Sequence, residues 1–181
     1  MKTLVVNFFG GPGSGKSTVC ADMFSRLKWA GINCEIASEF AKDLVWEEAY
    51  KTFDDQLYVF ANQYHRIYRL KDKVEIILTD SPLLFGIIYD NIYSVAYQHL
   101  VFECFYKFTN LNIFLERKDV YQSEGRMQKE SEAKKIDDDI KKLLDANAIF
   151  FHSEKAVEEN MNNVYKIILE TYKDLLKNGK N

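Results

Sequence analysis

Gly10-Gly11-Pro12-Gly13-Ser14-Gly15-Lys16-Ser17 is the stretch that decides the fold. It meets the spacing G-x-x-x-x-G-K-[ST] in full. Before it runs Thr3–Phe9 (TLVVNFF), a short apolar stretch that reads as a buried strand. After it, Val19, Met23 and Leu27 recur at helical spacing until Gly31 stops the pattern. A strand, a glycine turn and a helix in that order form a cradle for phosphate. Glycines let the backbone wrap the anion with N–H groups pointing inward, and the helix adds its positive N-terminal end. Gly11, Pro12, Gly13, Ser14, Gly15, Lys16, Ser17 and Thr18 are the candidate phosphate-binding residues. Lys16 supplies a point charge for β- and γ-phosphates, and the Ser17 hydroxyl suits Mg²⁺.

Working outward, strands alternate with helices. Further strands are expected at 33–37, 74–78 and 111–115, with a fifth short one at 149–152. Helices are expected at 39–50, 54–70, 83–108 (one or two), 131–146 and 155–177. The inward face of the second of these is read as Leu57, Phe60, Ala61, Tyr64 and Ile67. Residues 117–130 are polar and read as a loop. This alternation implies an α/β fold of three layers, a parallel sheet of about five strands flanked by helices. At 181 residues, 47% apolar and 28% charged, the chain has the composition of one globular domain over 1–181.

Composition also excludes. No run of about 18 uncharged apolar residues exists, so no membrane span is expected. The apolar start lacks the length of a secretory leader, which points to the cytoplasm. A net charge of −3 argues against a protein that coats nucleic acid through general electrostatics. Cys20, Cys34 and Cys104 have no metal-ligand spacing and read as buried thiols.

In open α/β sheets, ligands bind at the carboxyl ends of the strands. Strand two ends in Ser38-Glu39, where Ser38 reads as a helix N-cap and Glu39 as an acid placed to accept a hydroxyl proton. Strand three ends in Thr79-Asp80-Ser81-Pro82, and Asp80 is placed to orient Mg²⁺ together with Ser17. Strand four ends in Glu116-Arg117, with Gly125-Arg126 beyond. Arg117 and Arg126 are candidates for charge on a transferred phosphoryl group. Segment 117–142 carries eight basic and seven acidic residues, so most of its charges read as a solvated face rather than a basic patch. On helix 54–70, Gln56 and Gln63 share a face, and Gln63 is the substrate candidate, able to read a base edge, with Glu39 as a further substrate contact. Arg66 and Phe85 are further substrate candidates, as cation and stacking ring. No N-K-x-D base-reading motif of GTPases is present, and the chain is short for a ring-forming ATPase. A small phosphotransferase with a lid over about 117–134 remains.

GGPGSGKST, ASEFAKDLVWE, DDQLYVFANQ, TDSPLL and FLERKDVYQSEGRMQKESEAKKID together resemble the small phage-encoded P-loop kinases, and within them the 5-hydroxymethyluracil DNA kinase family. The resemblance covers most of residues 3–145 and extends to nucleoside, thymidylate and nicotinamide-riboside kinases. It implies a P-loop kinase fold with ATP and Mg²⁺ at Gly13–Thr18. It places Glu39 and Asp80 near an acceptor hydroxyl, and Arg117 and Arg126 at a lid. The implied reaction is phosphorylation of a pyrimidine hydroxyl, 5-hydroxymethyluracil in viral DNA, in the host cytoplasm. One departure stands out: Asp80 is followed by Ser81-Pro82 where nucleoside kinases commonly place an Arg. Two alternatives stay open, a kinase of a free nucleoside, nucleoside monophosphate or nicotinamide riboside, and a nucleotide-hydrolysing regulatory protein. A homodimer is left open as well.

Overall fold

The computed structural model describes residues 2–89, 94–117 and 130–178. Five strands form one parallel sheet: β1 (Leu4–Phe9), β2 (Cys34–Ile36), β3 (Ile76–Thr79), β4 (Thr109–Glu116) and β5 (His152–Lys155). Their order across the sheet is β2-β3-β1-β4-β5. The chain steps over β3 to place β2, then steps back over β1 to place β4. The register runs Leu4↔Ile76 and Leu4↔Thr109, so β1 is the central strand.

The sheet is covered on both sides, and β1 shows why it reads as an unbroken apolar run. Leu4, Val6 and Phe8 point into one core with Val19, Met23 and Leu27 of α1 (Lys16–Trp29). Val164, Ile168 and Tyr172 of α8 (Met161–Asn178) close that layer. Val5 and Phe9 point the other way. There they meet Phe60 and Ile67 of α4 (Gln56–Tyr68) and Phe85 of α5 (Phe85–Ile88). Val101 and Phe105 of α6 (Val95–Tyr106), with Ile140 and Leu144 of α7 (Glu130–Ala146), complete this second core. Cys20 and Cys34 lie in the first core and Cys104 in the second, all three free and buried.

One polar ladder crosses the sheet beneath the second layer. Asn7 Nδ2 donates to Asn110 Oδ1 at 3.0 Å and to Asn112 Oδ1 at 3.1 Å. Asn110 and Asn112 donate in turn to the carbonyls of Phe105 and Phe150. Each buried amide is satisfied only when β1 and β4 pair in this register.

Three boundaries differ from those the sequence suggests. The helix expected over 39–50 is two pieces, α2 (Phe40–Trp46) and α3 (Tyr50–Phe53). Glu48 between them turns left-handed at φ 53° and Ala49 N–H donates back to Leu44 O, a helix stop made without glycine. The fifth strand lies at 152–155, not 149–152. Ala148 turns at φ 51° and Ile149 drops into the second core, so pairing with β4 starts at Ile113↔His152. The last helix begins at Met161, after a short 3₁₀ turn at Glu158–Asn160. Gly31 stops α1 as expected, at φ 77°.

Candidate active site

The ends of β1, β2, β3 and β4 meet along one edge of the sheet. The first of them carries the glycine loop. Gly10, Gly13 and Gly15 adopt φ of 138°, 82° and 91°, a region that only glycine enters without strain. A Cβ on Gly10 would stand 2.4 Å from Ser14 Oγ and 3.0 Å from Leu115 O, so the turn leaves no room for one. Among the described residues, the amides of Gly13, Gly15, Lys16, Ser17 and Thr18 donate to no partner; the first helical bond is Val19 N–H to Gly15 O, 2.9 Å. Five free N–H groups at a helix start, beside a lysine, fit a phosphate chain. The buried Ser14 hydroxyl has no hydrogen-bond partner either.

Lys16 is drawn in over this loop. Its Nζ donates to Gly11 O at 2.9 Å and lies 5.7 Å from the Phe85 ring centre. Burial pushes its pKa down to about 8, against the pull of Glu39, Asp80 and Asp137, while Arg117 adds to the fall. Burial likewise raises Glu39, with Lys16 opposing it and Asp80 reinforcing it. The two carboxylates come from neighbouring strand ends and share one contact: Glu39 N–H donates to Asp80 Oδ1 at 3.1 Å. That bond fixes Asp80 and turns the Glu39 backbone at the start of α2. Glu39, not Ser38, occupies the N-cap position of α2, and it caps through no side-chain bond. The Ser38 hydroxyl accepts from Arg66 instead, at 3.0 Å.

A cavity of about 680 Å³ runs from the loop to the far side of α2 and α4. Pro12, Gly13, Gly15, Lys16, Ser17 and Thr18 line one end. Glu39, Ser81, Val45, Phe53, Val59, Phe60, Phe85 and Tyr89 line the rest of it, with the Phe85 ring beside Lys16. Gln56 and Gln63 also face it. Both are buried, at 6% and 5% exposed, because the inward face of α4 is Gln56, Phe60, Gln63 and Ile67. The face read from the sequence is rotated from this by about one position, and Leu57 is half exposed.

The two glutamines differ in what they have left to offer. Gln63 Oε1 accepts from Phe40 N–H at 2.9 Å, and its Nε2 reaches Thr79 Oγ1 at 3.5 Å. Its amide therefore ties α4 to the ends of β2 and β3. Gln56 Nε2 donates to Phe53 O at 2.8 Å, which fixes the amide, and its Oε1 takes no donor among the described residues.

The remaining sequence candidates are placed as follows. Arg66 is engaged by Asp43, by Ser38 and by the Phe40 ring at 5.1 Å. Arg117 pairs with Asp137 and donates to Pro12 O at 2.5 Å and Ala133 O at 3.0 Å. Arg126 and most of the expected lid lie outside the described residues. Ser17 faces the cavity and Asp80 is buried at the neighbouring strand end. Among the described residues, no three His, Cys, Asp or Glu side chains gather around a metal position. This donor set fits Mg²⁺, which takes one or two protein oxygens and draws the rest from phosphates and water. Asp137 and Tyr89 were not singled out in the sequence. Asp137 opens an Asp-Asp-Asp run that looks like helix surface, and Tyr89 is one aromatic among many.

A family model described as an AAA domain matches residues 5–160. No curated protein sequence matches the chain. Among solved structures, thymidylate kinase from Ehrlichia chaffeensis is similar at a TM-score of 0.61 and 12% identity, covering 96% of this chain and 100% of that one. A NadR protein in complex with NR matches at 0.61 and 16% identity, over 91% and 51% of the two chains. A NadR protein in complex with NAD and AMP-PNP matches at 0.67 and 13% identity, over 93% and 49%. The chain thus spans about half the length of the NadR chains. These likenesses establish a P-loop nucleotide-kinase type of fold.

Proposed function

The chain belongs to the AAA-domain family, and from that premise we propose that it is an ATP-dependent phosphotransferase acting on a hydroxyl of a pyrimidine-containing acceptor. One observation carries the reading. The phosphate loop and the desolvated Glu39 share one cavity with a set of aromatic and apolar side chains. A hydrolase needs room for a water; a cavity of about 680 Å³ has room for an acceptor ring beside a triphosphate.

In this reading the loop amides and Lys16 hold the β- and γ-phosphates in line with the acceptor. Ser17 and Asp80 hold Mg²⁺, which offsets charge on the phosphate oxygens. Glu39 takes the proton from the acceptor hydroxyl as its oxygen bonds to the γ-phosphorus. The bond from that phosphorus to the β–γ bridging oxygen breaks, and ADP leaves. Phe60 and Phe85 flank the ring, and the fixed Gln56 Oε1 accepts from a ring N–H. Residues 1–181 then form one kinase domain, with Arg126 brought from the segment at 117–134.

In its most specific form the acceptor is 5-hydroxymethyluracil in DNA, which the sequence resemblance supports. A free nucleoside, nucleotide or nicotinamide riboside is the second reading. The engagement of Arg66 by Asp43 favours it, because that pairing occupies a cation that the DNA reading would use for phosphate. The test offers γ-labelled ATP together with hydroxymethyluracil-containing DNA, free nucleosides and monophosphates in parallel. Label on DNA supports the first form and label on a free compound the second. Label released only as inorganic phosphate sinks both. Glu39→Gln should lower kcat by about 10²–10⁴ in whichever transfer is found, with KM for ATP little changed.

A further inference from the structure

We propose that Arg117 and Asp137 are positioning residues that set the phosphate loop for nucleotide before nucleotide arrives. The proposal needs only nucleotide binding at the loop and no particular acceptor.

The pair sits behind the loop, outside the cavity. Arg117 Nε and Asp137 Oδ2 form an ion pair whose side chains are 12% and 15% exposed. The other Asp137 oxygen accepts Gly11 N–H at 2.5 Å. Arg117 donates from one terminal nitrogen to Pro12 O at 2.5 Å and from the other to Ala133 O at 3.0 Å. One dry charge pair therefore grips the Gly11-Pro12 segment by an N–H and by a carbonyl, and fastens both to α7. It also explains why position 11 is glycine, for which φ gives no reason. A Cβ there would stand 2.7 Å from the Arg117 guanidinium and 2.8 Å from Ala133 O.

The loop needs an outside anchor. Three of its glycines hold left-handed φ, and five amides point their partial positive charge at one place with no partner among the described residues. Without an anion those dipoles repel, and glycine backbone, free to adopt other angles, keeps these only where its surroundings fix it. The carbonyls of Gly11 and Pro12 are each held by a cation, Lys16 and Arg117. Holding two successive carbonyls leaves the following amides to turn toward the cavity. Arg117 then acts on the reaction through the loop, not as the donor to the transferred phosphoryl group that its sequence position suggests.

Asp137→Asn keeps an oxygen for Gly11 N–H and loses the ion pair; Asp137→Ala loses both; Arg117→Lys keeps charge without the fork. Binding of a non-hydrolysable ATP analogue is measured by calorimetry, with kcat and KM for ATP alongside. We expect analogue affinity to fall about tenfold in Asp137→Asn and about a hundredfold in Asp137→Ala, each lost charged contact weighing about tenfold. Arg117→Lys should fall between them, and kcat at saturating ATP should change less than about threefold in all. Analogue affinity unchanged in Asp137→Ala overturns the proposal. So does a collapse of kcat in Arg117→Lys with affinity intact, which would return Arg117 to the transferred group. Should Asp137→Ala fail to fold, the two conservative variants carry the same comparison. Wild-type protein that binds the analogue but phosphorylates no acceptor sinks the phosphotransferase reading and leaves this one standing.

Discussion

At Lys16, burial lowers the ammonium to about 8 while Glu39 and Asp80 pull it back up. At Glu39, burial raises the carboxyl above its ordinary 4.5. The transfer we propose uses Lys16 charged and Glu39 ionised. The profile of kcat/KM for ATP should therefore be bell-shaped, with its acid limb above 4.5 and its alkaline limb near 8. Stability gives a second measurement. Below about 8 the free protein holds a buried charge that the unfolded chain keeps in water. Between about 8 and 10.5 the folded Lys16 is neutral while the unfolded one is still protonated, so that penalty fades as pH rises. Lys16→Met should unfold at a higher temperature than wild type at pH 7, and the gap should close across that window; a gap constant with pH rejects the account. Lys16 was legible because it closes the glycine motif at the start of α1, and Glu39 and Asp80 because each follows the end of a strand. Asp137 was not, because nothing in a run of three aspartates marks the one that turns inward. Choosing between Gln56 and Gln63 likewise required seeing which amide was already spent on Phe40 N–H.

Among the elements, those bounded by glycine or proline were the more legible: β1, α1 and β3. Two of the boundaries that slipped lie where the chain turns left-handed without glycine, at Glu48 and Ala148, and the third where a 3₁₀ turn precedes the last helix. The rotation of α4 has a related cause. A polar residue at an inward position reads as outward until its partner is known, and the partners here are backbone groups, Phe53 O one turn before Gln56 and Phe40 N–H far from Gln63 in sequence. The asparagine ladder shows the same limit, since Asn7 looks like a flaw in an apolar strand. Asn7→Leu leaves the side-chain oxygens of half-buried Asn110 and buried Asn112 without their donor, and should cost about 2–4 kcal/mol in urea unfolding. A change under about 0.5 kcal/mol would mean that the sheet does not depend on the ladder for its register.

For the whole molecule, the parallel sheet and its two layers followed from strand–helix alternation, and the strand order 2-3-1-4-5 came only with the coordinates. The phosphate end of the site was the more legible, because one contiguous motif builds it. The rest of the cavity, where we place the acceptor, is lined from α2, α3, α4 and α5, and no single stretch announces it. The distribution of cysteines gives these layers a practical use. Cys20 lies under α1, Cys34 on the edge strand β2, and Cys104 in α6 on the opposite side of the sheet. Burial raises all three thiols, so each stays inert until its surroundings open. Variants keeping one cysteine apiece are therefore three separate clocks of breathing, read by alkylation under native conditions. Nucleotide should slow the Cys20 clock most, since α1 begins at the phosphate loop, and Cys104 least. Equal slowing at all three would mean that the two faces of the sheet open together.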